Sequence, residues 1–405
     1  MKNRYTKLFF IGLSSSLAFA PLYLFFIFFY SFHHLLSEIE ENGYKSVFLK
    51  GWMFGFGYFI GNCYWYCNSL LIEPLKFGWL VPFALSIIPA YLAIYTGLTT
   101  LAVQICKKYV KNRFVVVVAF ATFWTFFEYL RGIMLTGFPW NIICYSLSFS
   151  PLLIQTVSIY GCYVFGFILV ILYSAPYVLV DKKYNRYAFL YAFLVLFIII
   201  YGFYNLNRPD NEQPGGFTVR LVQPNLSQRE KISTDSDTIL TKMIELSMKN
   251  SENIKYIIWA ESALPHYILY NEENEILDVI GKEFGDKILI TGAIRVDRNK
   301  GKIFNSIIVI KNGKIIDYYD KYHLVPFGEF IPFANIFPII GTITGMMSLS
   351  RAENRQKIIK INDTFPLFSP NICYESIFSD SVNKNADLII NLTNDAWFGN
   401  TSGPY

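Results

Sequence analysis

The chain has 405 residues, of which 53% are hydrophobic and 16% charged, against about a quarter charged in ordinary soluble domains. Such a deficit excludes a wholly water-soluble protein. The formal charge of +5 is modest and no basic tract is interleaved with aromatics, so nucleic acid is not an expected partner.

The deficit is uneven. Residues 1–206 are long apolar runs broken by short basic clusters, while residues 207–405 carry regular Lys, Asp and Glu. A spanning helix needs roughly 20 mostly apolar residues. Seven runs are candidates: 8–20, 21–36, 52–72, 79–105, 114–130, 152–180 and 187–206. The first two are short and meet at Pro21, which predicts a tight hairpin. The basic start followed by Ala18-Phe19-Ala20 also resembles a cleavable leader, but Pro21 directly after the cut disfavours cleavage, and an uncleaved helix is expected. One apolar run alone could be a covered core helix. Seven in series cannot be, because no soluble half remains to cover them, so residues 1–206 are expected to form a transmembrane bundle.

Alternate connections differ sharply in charge. One side collects Lys2, Arg4, Lys7, Lys45, Lys50, Lys107, Lys108, Lys111, Arg113, Lys182, Lys183 and Arg186, and the other only Lys76 and Arg131. Basic loops stay in the cytoplasm, so the N-terminus is expected inside and everything after about residue 207 outside.

Residues 207–216 (NRPDNEQPGG) read as a linker. From residue 217 onward strands and helices alternate. Strands are expected at 218–223, 256–259, 287–291, 303–311, 314–319, 365–372 and 388–392, and helices at about 235–249, 271–284 and 376–384. Asn312-Gly313 between two β-rich runs predicts a hairpin. The pattern is an α/β domain with a central sheet and one antiparallel pair.

Three residues able to do chemistry follow strands in this half: Glu261, Lys321 and Cys373. Each taken alone is more often a surface charge or a small core residue. Their common position just past strand ends, where α/β proteins gather their sites, sets them apart. Cys373 is the one cysteine of this half, so it makes no disulfide within the domain and is either an inert buried thiol or a reactive one. The apolar residues before Glu261 predict partial burial, which strengthens a base. Glu329 lies among apolar residues in PFGEFIPF, where a carboxylate needs a cation. His266 and His323 lack a clustered ligand pattern and read as loop residues.

The segments around these residues resemble the apolipoprotein N-acyltransferase family. They are WAESALP (259–265), YDKYHLVPFGEFIPF (319–333), NICYES (371–376) and NLTNDAWFG (391–399). In the apolar half FEYLRGIMLTGFPWN (127–141) resembles the family's segment before its sixth span, and LVQPNLSQREK (221–231) its first domain strand and loop. The resemblance implies an α-helical transmembrane bundle plus an α/β nitrilase-like (α-β-β-α sandwich) extracytoplasmic domain. It places the chain in a bacterial inner membrane, with a cytoplasmic N-terminus and a periplasmic catalytic domain.

The resemblance also implies a triad in which Cys373 is the nucleophile, Glu261 its base and Lys321 the charge that stabilises thiolate and oxyanion. Glu329 would hold Lys321, Tyr374 and Glu375 would assist acyl transfer beside the nucleophile, and Trp397 and Phe398 would shape the pocket. Packing of these two aromatics on the sheet is the competing reading. The implied reaction is ping-pong: a phospholipid ester acylates Cys373, and the amine of a diacylglyceryl-cysteine on an apolipoprotein then takes the acyl group. No cofactor or metal is implied, and a monomer is the default. Phe330, Ile331, Phe333, Ile336, Phe337, Ile339, Ile340, Met346 and Met347 form an apolar stretch that either dips toward the bilayer or packs as a core helix.

Two departures stand out. Ala260 replaces the family's usual Pro. Family members also continue past the SGP segment, whereas this chain ends at Tyr405, so the domain is expected to be C-terminally incomplete. Three alternatives remain open: a membrane-tethered amidase, a receptor or transporter whose intramembrane charges are Glu128 and Arg131, and an inactive truncated relic.

Overall fold

The computed structural model describes residues 2–39, 43–209, 216–270, 272–332 and 348–405. It divides into two compact units, Met1–Asn211 with Asn400–Tyr405, and Glu212–Gly399. The tail that the sequence reading assigned to the second unit therefore groups with the first. Gly403 there lies flat on the Trp65 ring, where an added Cβ would come within 2.8 Å.

The first unit is built from α1 (Lys2–Ser15), α2 (Ile27–Glu38), α3 (Tyr44–Cys63), α4 (Val81–Lys107), α5 (Arg113–Ile133), α6 (Val157–Tyr173) and α7 (Ala188–Leu206). Helices thus form at all seven expected places, and among the described residues four helical stretches are long and apolar enough, by length and composition, to cross a membrane: Pro74–Lys107, Arg113–Thr136, Val157–Leu179 and Lys182–Leu206. α1 and α2 have 14 and 12 residues. At a rise of about 1.5 Å per residue they fall well short of a hydrocarbon layer of about 30 Å. α3 has the length but carries two lysines and four glycines in its 20 residues.

Pro21 lies in the connection between α1 and α2, and Ser15 Oγ donates to Ser31 Oγ at 2.8 Å across the pair. α1 also crosses α3 closely. A Cβ on Gly12 would sit 1.9 Å from the Phe54 carbonyl oxygen, and one on Gly57 would sit 2.0 Å from that of Phe9. Only glycine permits such backbone contact, the packing mode that membrane helices favour. Glu128 and Arg131 are both buried and lie 3.6 Å apart. Arg131 Nη1 also donates to the carbonyls of Phe138 (2.7 Å) and Trp140 (2.8 Å), pinning the GFPW segment that follows α5.

In the second unit the strands are β1 (Val219–Val222), β2 (Tyr256–Trp259), β3 (Tyr267–Leu269), β4 (Ile288–Asp297), β5 (Lys302–Lys311), β6 (Lys314–Asp320), β7 (Phe368–Ile372) and β8 (Leu388–Leu392). The main sheet runs β1-β2-β4-β5-β6, with β3 beside β4, and β7-β8 form a second, parallel sheet. β1, β2 and β4 are parallel, while β4, β5 and β6 are antiparallel. The expected hairpin joins β5 to β6 through Asn312 (φ 49°) and Gly313 (φ 71°), two left-handed residues that match the strand twist.

Helices α8 (Gln228–Ser233), α9 (Ser236–Met248) and α10 (Glu275–Phe284) belong to the same unit. Successive strand residues face opposite layers. Leu289, Ile308 and Ile310 pack with Ile239, Met243, Ile280 and Phe284 of the helices. Ile288, Ile290, Ile307 and Val309 pack with Phe368, Ile372, Ile390 and Leu392 of the second sheet. Burial on both faces explains why β4 and β5 read as continuous apolar runs. The layers described are therefore helix, sheet, sheet, a nitrilase-like α/β arrangement.

The helix expected at 376–384 does not form. A short 3-10 turn, Cys373–Ile377, stands in its place, followed by turns. Ser381 Oγ bonds the carbonyls of Glu375 and Phe378, and Asn383 Oδ1 accepts from Asn385 N. Such short polar side chains compete with helical backbone pairing. Sequence reading also missed α8, although Ser227 and Glu230 form a reciprocal capping box at its start.

Candidate active site

Glu261 leaves the end of β2, which the fully buried Trp259 anchors in the core. Its segment lies directly on β4: Gly292 N donates to the Ala260 carbonyl (3.2 Å) and Leu264 N to the Gly292 carbonyl (3.1 Å). A Cβ on Gly292 would meet Ser262 N at 2.5 Å and Glu261 Cα at 2.6 Å. Glycine at 292 is thus a condition for Glu261 standing where it does.

Lys321 follows β6 and is only 1% exposed, so the reading of a solvated lysine does not hold. Asp320, its neighbour in sequence, is engaged elsewhere: Arg295 grips it with two bonds of 2.9 and 2.6 Å, and Ser306 Oγ adds a third at 2.6 Å. The Arg295 guanidinium is itself enclosed by the rings of Tyr270, Phe304 and Tyr318. Lys321 Nζ lies 2.9 Å from Glu329 Oε1 and 3.7 Å from Glu261 Oε1. Burial pulls this ammonium's pKa down, but the charges of Glu261, Glu329 and Cys373 outweigh it and hold the group above its ordinary value. Glu329 Oε2 accepts from Val325 N at 2.8 Å, which closes its loop.

Cys373 is the first residue after β7 and has φ 51°. A non-glycine residue in that region is strained and is held there by its surroundings. Burial pushes its thiol up to about 12, the charge of Glu261 adds to this, and Lys321 and a hydrogen bond with Thr393 oppose it. The resting group is therefore a thiol, which needs a base to become a nucleophile.

Glu375, 1% exposed, ties the two halves of the site together. Its Oε1 accepts from Tyr319 Oη (2.8 Å), Tyr322 N (2.9 Å) and His323 N (3.0 Å), and its Oε2 accepts from Ile372 N (2.8 Å). One carboxylate thus joins the segment holding Lys321 to the strand end that presents Cys373. Burial raises its pKa against these hydrogen bonds. Tyr374 sits edge-on to His323 and Phe378.

Trp397 and Phe398 follow β8 through a 3-10 turn, and Trp397 is 39% exposed rather than packed in the core. His266 bonds Asp237 at 3.1 Å, and His323 stacks on Phe378. Of the apolar stretch, residues 333–347 lie outside the described residues, as does most of the linker.

Three neighbours of the site escaped sequence reading. Asn305 of β5 donates from Nδ2 to Glu261 Oε1 (2.8 Å) and to Glu329 Oε1 (2.9 Å), while its carbonyl accepts from Lys321 N (2.8 Å). The signal was present: Asn305-Ser306 interrupts an apolar strand, and a buried polar residue demands a partner. Asn394 N donates to Glu261 Oε2 at 3.0 Å. Lys231 of α8 donates to the Ser262 carbonyl at 3.3 Å, and burial lowers its pKa against the pull of Glu261.

Comparison with known proteins bears on both units. Residues 11–175 match the family model described as apolipoprotein N-acyltransferase N-terminal domain, and residues 218–405 match that of carbon-nitrogen hydrolase. The apolipoprotein N-acyltransferase of Rhizobium rhizogenes is 36% identical over 88% of this chain and 70% of its own. That of Allorhizobium ampelinum is 34% identical over 97% and 78%, and that of Rickettsia prowazekii 33% over 98% and 80%. Among solved structures, a Saccharomyces cerevisiae member of branch 10 of the nitrilase superfamily is 21% identical, covering 44% of this chain and 64% of its own, with a TM-score of 0.32.

Proposed function

The chain belongs to the apolipoprotein N-acyltransferase family, and from that premise we propose that it moves an acyl chain from a phospholipid, through a thioester on Cys373, to the N-terminal amine of a diacylglyceryl-cysteine. The observation that carries this reading is the buried cluster in which the Lys321 ammonium lies beside two carboxylates and charges the surroundings of Cys373.

Glu261 takes the thiol proton as sulfur attacks the ester carbonyl. Lys321 and the backbone N–H of Tyr374 face the oxyanion that forms. The C–O bond then breaks, and the proton on Glu261 passes to the departing lysophospholipid alkoxide. In the second half-reaction the acceptor amine attacks the thioester, loses a proton to Glu261 and releases the thiolate, which recovers that proton. The thioester stores the activation, so no cofactor takes part. The apolar helices hold the domain at a bilayer that supplies both substrates, with the basic loops cytoplasmic and the catalytic unit periplasmic.

The test is the intact mass of the purified chain after incubation with phospholipid. Wild type should gain an acyl mass that hydroxylamine removes, and Cys373→Ser should gain none. Release of free fatty acid to water with no transfer to an added diacylglyceryl-cysteine peptide would replace this reading with a hydrolase.

A further inference from the structure

Two carboxylates share the Lys321 ammonium in this site, while Lys231, held on the Ser262 carbonyl, adds a positive charge on the Glu261 side alone. Glu261 Oε1 and Glu329 Oε1 both face Lys321 Nζ, and both accept from the same nitrogen of Asn305, at 2.8 and 2.9 Å. One negative charge is therefore left without a cation from Lys321. Carboxylates crowded together in a buried space tend to bind a proton between them, and a proton on Glu261 would remove the base.

Asn305 opposes this. A primary amide carries two N–H bonds on one nitrogen, and here each goes to a different carboxylate. Turning the amide over would set its oxygen against both carboxylates, so the orientation is dictated by charge. Donation to a carboxylate favours the ionised form. The Asn305 Oδ1 is buried and has no hydrogen-bond partner among the described residues. A buried acceptor left empty is costly, and the donor half of the amide, bonded to two carboxylates, is what offsets that cost. The Asn305 backbone carbonyl also accepts from the Lys321 backbone N–H at 2.8 Å, so one residue touches both carboxylates and the main chain of the lysine between them.

We propose that Asn305 is a positioning residue for the reaction, a neutral double donor that keeps Glu261 ionised and fixed between Lys321 and Glu329. The proposal rests on the reading of Glu261 as the base that activates Cys373. Asn305 does not touch the reacting atoms; it acts through Glu261.

The experiment measures alkylation of Cys373 by iodoacetamide across pH in the full chain in detergent micelles, with the modified peptide followed by mass. This readout is independent of any acyl donor. Asn305→Ala should move the acid limb of the profile to higher pH by about one unit, roughly a tenfold rate loss below the limb. Asn305→Ser, with one donor left, should fall between alanine and wild type. Asn305→Asp has the same shape but adds a third carboxylate, and should shift furthest. Uniformly slower alkylation with unmoved limbs in all three variants would overturn the proposal, since a merely structural asparagine behaves that way. An unfolded variant betrays itself by ordinary thiol behaviour, near pH 8.5, at all six cysteines, and the folded variants then decide. Variants that show these shifts, beside a wild type that takes no acyl group from phospholipid, would sink the donor assignment and leave Asn305 in place. Wild type with no acid limb at all would sink both.

Discussion

At the scale of single residues the site is a charge problem solved by burial. Lys321 is almost fully enclosed and is shared by Glu261 and Glu329. Removing one member of such a buried group leaves uncompensated charge, so Lys321→Met should cost about 3–5 kcal/mol of stability in denaturant melts as well as abolishing acylation. An unchanged melt would mean that the carboxylates are rehydrated or protonated without penalty. Cys373 supplies a pH prediction. Its thiol stands near 12 in the folded chain, above the ordinary thiol value of about 9. Between those pH values the unfolded chain has lost a proton that the folded chain keeps, so stability falls as pH rises through that window. Cys373→Ala should flatten this alkaline decline, and melting temperatures between pH 8 and 11 will show whether the wild-type slope is the steeper. Glu261, Lys321, Cys373 and Glu329 were legible as candidates, because a carboxylate among phenylalanines or a lone cysteine after a strand is conspicuous. Asn305 and Asn394 were not. Their importance depends on which atoms they face across the sheet, and no local pattern records that.

At the scale of elements, close backbone approach does as much as side-chain chemistry. The segment after β2 rests on β4 only because residue 292 has no side chain. Gly292→Ala should displace Glu261 and reduce acylation by about 10²-fold, a loss typical when a catalytic group shifts by about 1 Å. The sheet core is intact in that variant, so its melting temperature should fall far less than that of Lys321→Met, and equal losses would contradict the local account. β2 and β8 were placed correctly from their apolar runs, and the β5–β6 hairpin from Asn312-Gly313. The helix expected at 376–384 failed because Ser381 and Asn383 turn their hydrogen bonds onto the backbone. That segment runs on from Cys373, whose own φ is left-handed, so the chain enters it from a bend that no helical propensity describes.

At the scale of the whole molecule, the apolar half and the α/β half are visible in composition alone, and each matches a family model of its own. The asymmetry of basic loops predicts a testable topology. A phosphatase reporter active only outside the cytoplasm should work when fused after Arg208 and be silent after Lys183, and the opposite result would invert the orientation. Hydropathy counts apolar residues and so marks seven candidate spans without giving their helix lengths. Helix lengths of 14 and 12 residues for α1 and α2 come only from the folded chain, in which the connection around Pro21 consumes residues that hydropathy had assigned to spans.

The sequence by itself determined the membrane character, the place of most strands and the candidate residues of the site, since each depends on residue type and short-range periodicity. Only the tertiary structure decided the charge balance of the site. Lys321 belongs with Glu261 and Glu329 rather than with adjacent Asp320 because Arg295, two strands away on β4, already holds Asp320. Pairing of buried charges is set by distance through space, and it is folding that brings β4, β5 and β6 into register.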